Sequence, residues 1–190
     1  MYQSRTPIAR TSLAKVLLAV ALVIAISATA AKAQQKLGDL VTEGGFDWMI
    51  GRWEHETDAG DKLQVIYKWE LNKHMISMRF KMGGYESYGM IFYKPLENEV
   101  VQVGADNMGG FSKGTWDTDG ERAISKSEYT GAGGEIRRFA VAHSKVDADT
   151  MKAEVYELDS DGNLAEQPGF TVQYKRQKPQ TLKEDSKKTP

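Results

Sequence analysis

An all-β chain, folded as a single up-and-down antiparallel barrel of about ten strands, is what this sequence predicts, and three observations lead there. From Arg52 to Gln177 apolar residues recur at every second position, the period of strands with one buried face. Turn-forming clusters break that alternation at short intervals. The alternation starts from an aromatic-rich stretch, Phe46-Asp47-Trp48-Met49-Ile50-Gly51-Arg52-Trp53, whose large side chains cannot all face water. Burying each one stabilises by roughly 1.5–3 kcal/mol. This stretch is therefore expected to form a short helical turn that plugs one end of a core. Gly51 suits the change of direction before the first strand, which Trp53 opens pointing inward.

In chain order, residues 1–33 do not read as part of that fold. Arg5, Arg10 and Lys15 form a basic start with no acidic residue before Asp39, Val16 to Ile26 is unbroken apolar sequence, and Ala31-Lys32-Ala33 is an A-x-A pattern. Together they predict a secretory signal peptide cleaved after Ala33, and a periplasmic or secreted protein. The apolar run is too short for a membrane anchor, which needs about 18 residues or more. Cleavage removes four positive charges (Arg5, Arg10, Lys15 and Lys32) from a chain whose formal net charge is −1, so the remainder is mildly acidic. That balance, with no basic cluster, argues against nucleic acid as a partner. The absence of cysteine excludes disulfides, thiolate zinc sites and thiol catalysis.

Residues 34–45 read as a polar, flexible lead-in and 46–177 as the barrel. Hairpin chemistry marks Ala59-Gly60-Asp61, Gly83-Gly84, Asn107-Met108-Gly109-Gly110, Asp117-Thr118-Asp119-Gly120, Gly131-Ala132-Gly133-Gly134 and Asp159-Ser160-Asp161-Gly162-Asn163. Weaker turns are expected at Pro95 to Glu99 and Val146 to Asp149. Between them lie runs such as Leu63-x-Val65-x-Tyr67-x-Trp69 and Ile76-x-Met78-x-Phe80-x-Met82. Tight sequential connections favour a barrel over a sandwich, and closure removes exposed edges. The tail, 178–190, is charged and expected to be disordered.

Two blocks carry a resemblance: Phe46–Trp53 with its Gly51-x-Trp53, and Gly109-Gly110-Phe111-Ser112-Lys113-Gly114-Thr115-Trp116-Asp117-Thr118-Asp119-Gly120. The closing Phe170-Thr171-Val172-Gln173-Tyr174-Lys175-Arg176 adds a third. The chain resembles the calycin barrels (lipocalins, fatty-acid-binding proteins and the nitrobindin type), and most closely a group of lipocalin-like bacterial domains of unknown function. In some of those relatives the domain follows a ketosteroid-isomerase-like one. The resemblance implies a fold and no established activity.

Strand parity, counted from Trp53, gives an expected inner wall of Trp53, His55, Tyr67, Met78, Phe80, Tyr88, Met90, Phe92, Phe139 and His143. A lining rich in Met and aromatics suits a small apolar or amphipathic ligand; the competing reading is that these side chains fill the barrel. Arg137 shares the parity of Phe139 and could pair with a ligand carboxylate, as the resemblance to fatty-acid binders implies. His55, His74 and His143, if all turned inward, could form a three-histidine site for a divalent metal. His143 alone could ligate haem, as in nitrobindin-like barrels. No histidine pair has local ligand spacing, so neither cofactor is expected. Met75, Met78 and Met82 suggest copper only weakly, because Met75 points to the other face. Asp159 to Asn163 lacks the closing Glu of a calcium loop, and no Gly-x-Ser-x-Gly elbow is present. Three functions remain: a non-catalytic ligand carrier, a haem or metal barrel, and a filled barrel serving as an envelope interaction protein.

Overall fold

The computed structural model describes residues 35–178. The expected leader, 1–33, lies outside them, as does all but the first residue of the charged tail. Ten strands form one closed antiparallel barrel. They are β1 (Gly51–Glu56), β2 (Lys62–Glu70), β3 (Met75–Met82), β4 (Tyr85–Lys94), β5 (Glu99–Asp106), β6 (Phe111–Thr118), β7 (Ala123–Thr130), β8 (Ile136–Lys145), β9 (Thr150–Glu157) and β10 (Phe170–Gln177). Each strand pairs with its chain neighbour, and β1 closes the ring against β10 through Trp53 opposite Arg176. The expected fold class is observed.

The two ends differ because the chain enters at only one of them. A 3-10 turn, Asp47–Met49, delivers the chain to β1 and buries Phe46 and Met49. The preceding stretch corrects the expectation of a flexible lead-in: Leu37–Glu43 is a helix, α1. Leu37, Leu40 and Val41 have the i, i+3, i+4 spacing of one helical face, and Leu37 is 1 % exposed within the main core. The Asp39 carboxylate accepts the Lys36 N–H at 3.0 Å and steadies the first turn. We call this the plug end. The opposite end, the mouth, is ringed by loops 57–61, 83–84, 107–110, 131–135 and 158–169.

One connection at the plug end carries none of the turn clusters noted above. Leu71, Asn72 and Lys73 turn β2 into β3 with φ of 49°, 53° and 66°, left-handed values that side chains other than Asn rarely adopt. His74 follows this turn and is exposed.

The two-residue hairpin at Gly83-Gly84 sets the face of every residue in β4. Met82 lies opposite Tyr85, so Ser87, Gly89, Ile91 and Tyr93 turn inward with Phe80, Met78 and Ile76. Tyr88, Met90 and Phe92 therefore lie on the outside, contrary to expectation, with Tyr88 52 % exposed. Their cross-strand neighbours on β5, Ala105, Val103 and Val101, are apolar too, so the outer face of β4–β5 is bare and apolar. Another apolar patch of the outer wall is covered: Leu158 and Leu164, from the loop after β9, pack on Ile124, Ala140, Ala142 and Tyr156.

Candidate functional site

The barrel is hollow. Two chambers lie inside it, of about 500 Å³ on the plug side and about 360 Å³ on the mouth side, and Tyr67 and Trp116 line both. The plug-side chamber is walled by α1, the 3-10 turn and Ile76, Ile91, Tyr93 and Val100. The mouth-side chamber runs from the Tyr67–Trp116 layer past Met78, Phe80, Phe139 and Val155 to Met82 and Phe170, which are exposed at the rim.

The layer between the chambers is a network of uncharged polar groups. Tyr67 Oη and His143 Nε2 are hydrogen-bonded at 3.1 Å. The Trp116 ring stacks on His143 with centroids 5.4 Å apart, and Tyr67 meets both edge-on. Trp116 Nε1–H donates to Gln102 Oε1 at 2.7 Å, and Gln102 Nε2 donates to Ser127 Oγ. That second bond crosses a strand: Gln102, Gly114 and Ser127 are successive partners on β5, β6 and β7. A Cβ on Gly114 would lie 2.1 Å from the carbonyl oxygen of Lys126, a backbone atom that no rotamer change can move. Gly114→Ala is thus expected to lower stability by about 2 kcal/mol. Denaturant unfolding followed by tryptophan fluorescence checks this.

Burial sets the charge state of these groups. His143 is 5 % exposed, and desolvation pushes its pKa down to about 4 against a weaker opposing effect of the Ala123 and Val141 backbone. The imidazole is therefore neutral at physiological pH. Its Nδ1 has no hydrogen-bond partner. Burial raises the Tyr67 phenol far above its usual range and pushes Tyr174 up to about 12, so both keep their protons. The carboxylate of Asp106, toward the mouth, accepts the Gly110 N–H at 2.9 Å, the Met108 N–H at 2.8 Å and the Tyr85 hydroxyl at 3.3 Å. Those bonds, the Gly110 one foremost, hold it below the ordinary carboxylate range.

Of the residues expected to line the interior, Tyr67, Met78, Phe80, Phe139 and His143 do so. Trp53 faces inward but is wholly buried in the plug and lines neither chamber. His55 also faces inward near the mouth, with Nδ1 2.9 Å from the Gln173 carbonyl oxygen. Arg137 has the expected parity but lies exposed at the rim, two residues short of the wall residue Phe139. The three histidines do not converge, because His74 sits in an exposed turn at the plug end and His55 near the mouth. Among the described residues no three His, Cys, Asp or Glu side chains are grouped to hold a metal. Haem does not fit His143 either: Nε2 is engaged by Tyr67 and one ring face is covered by Trp116.

Sequence reasoning missed Gln102, Trp116, Ser125, Ser127 and Tyr174. All five sit at inward parity; Ser127 lies opposite Phe139 and Ser125 opposite Val141, whereas Gln102 lies opposite Ile91, on the face of β4 that was expected to point outward. The class these features define is a hollow, ten-stranded up-and-down barrel with a divided interior. No known family model matches the chain, and no curated protein matches it.

Proposed function

We propose that this protein is an exported, non-catalytic barrel that binds a small apolar or amphipathic molecule in its mouth-side chamber. The carrying observation is the chamber itself: about 360 Å³ of space walled by Met, Phe and Val, with buried polar side chains at its floor. Ligand sites combine these two features, apolar walls for affinity and a few fixed polar groups for orientation. The leader-like residues 1–33 support export.

An uncharged naphthyl dye, fluorescent only in apolar surroundings, tests the reading. It is expected to bind at one site per chain with micromolar affinity. Ala153, 4 % exposed, lines the chamber from β9, and Ala153→Trp fills it. That variant, with unchanged circular dichroism, is expected to bind the dye at least tenfold more weakly. Equal binding by both proteins would place the dye elsewhere and defeat the proposal.

A further inference from the structure

The ligand's chemistry can be narrowed, on the reading that the mouth-side chamber binds one. We infer that the ligand is an uncharged molecule with a hydroxyl or similar neutral polar group, which enters polar end first and hydrogen-bonds at the chamber floor, and that carboxylates are rejected.

The first argument is charge. Among the described residues that line this chamber, none is Lys or Arg, and the one carboxylate is Asp106. Four cations near the mouth are already paired on the outer surface: Lys62 with Glu54, Lys81 with Glu86, and Lys113 and Arg138 with Glu128. Arg137, exposed at the rim, can reach only a head group that stays in water. A carboxylate drawn to the floor would lose its hydration, gain no counter-ion and pass a like charge. An ionised group buried in that way is strongly disfavoured.

The second argument is what the floor offers. Tyr174 is 5 % exposed and lines the chamber, and no protein group hydrogen-bonds its hydroxyl among the described residues. Ser125, 4 % exposed, adds a second hydroxyl beside the Tyr67–His143 pair. Both hydroxyls line the chamber, where a ligand's polar group can meet them. Hydroxyls both donate and accept, so they match an alcohol, phenol or amide without selecting its hydrogen-bond sense. Beyond the floor, Met78, Phe80 and Phe139 form a slot for the apolar remainder.

Displacement of the naphthyl dye by 1-octanol, octanoate and 1-chlorooctane at pH 7.5 tests the inference on the full chain after leader cleavage. Octanol is expected to displace the dye at least tenfold more effectively than octanoate. Tyr174→Phe is expected to weaken octanol about fivefold and leave 1-chlorooctane unchanged. The inference is overturned if octanoate matches octanol, which would mean a head group left at the rim beside Arg137. It is equally overturned if Tyr174→Phe affects the alcohol and the chloride alike. Failure of the dye itself to bind wild type would instead remove the chamber-binding reading beneath it.

Discussion

An Arg176→Ala variant is expected to unfold with about 3 kcal/mol less stability than wild type. The guanidinium lies over the Trp53 ring, 4.1 Å from its centroid. From there it donates to the carbonyls of Ile50 at 3.0 Å, Trp48, and Ala148 at 3.3 Å. One side chain thereby ties the last strand to the 3-10 turn, the start of β1 and the β8–β9 turn. A desolvated cation–π contact contributes about 2 kcal/mol, and hydrogen bonds from a charged donor add about 1.5 kcal/mol or more each before the exposure of the group is discounted. Gly51 belongs to the same device. Its φ is +145°, and a Cβ there would sit 2.5 Å from Arg176 Nη1. Arg176→Lys keeps the charge and loses the planar fork, so it is expected to recover less than half of the loss. Guanidinium denaturation with a constant m-value checks all three proteins.

Acidification supplies the second large effect. His143 has a folded pKa of about 4, depressed from the ordinary 6.5 by burial. Above pH 6.5 the imidazole is neutral in both states and contributes nothing to pH dependence. Below it the unfolded chain takes up the proton first, so stability falls as pH drops toward 4, by about 3 kcal/mol across that window. The depressed carboxylates, Asp106 among them, release their share at lower pH still. His143→Gln retains an acceptor for Tyr67 and removes the titration. Its stability is expected to be nearly flat from pH 6.5 to 4.5, where wild type slopes. Parallel slopes in the two proteins would show that His143 is not buried as a neutral base.

Most of the wall was legible because alternation is unbroken within β2 and β3, where Leu63, Val65, Tyr67, Met78 and Phe80 face inward as their period requires. β4 failed for a physical reason. It is apolar on both faces, so hydrophobicity cannot choose between Tyr88, Met90 and Phe92 on one side and Ile91 and Tyr93 on the other. Only the length of the Gly83-Gly84 turn decides, by forcing Tyr85 opposite Met82. The bulkier set pointed the wrong way, and the smaller Ser87 and Gly89 were left inside, where they leave room for the chamber. α1 escaped notice because seven residues are too few for a helix to form without tertiary support. The Gln102–Ser127 bond was invisible for another reason: it spans three strands and depends on Gly114 lacking a side chain. Arg137 shows the limit of parity, which gives the side of a strand but not how far along it the barrel wall ends.

The bare outer face at Tyr88, Met90, Val101 and Val103 is a competing surface for an apolar molecule outside the barrel. An anomalous diffraction map from crystals soaked in 8-bromo-1-octanol separates the two places directly. The account predicts a bromine peak inside the barrel near Met82 and Phe170, with the hydroxyl reaching Tyr174 and Ser125 at the floor. A peak confined to the outer β4–β5 face, or bromine at the floor with the hydroxyl at the rim, would contradict it.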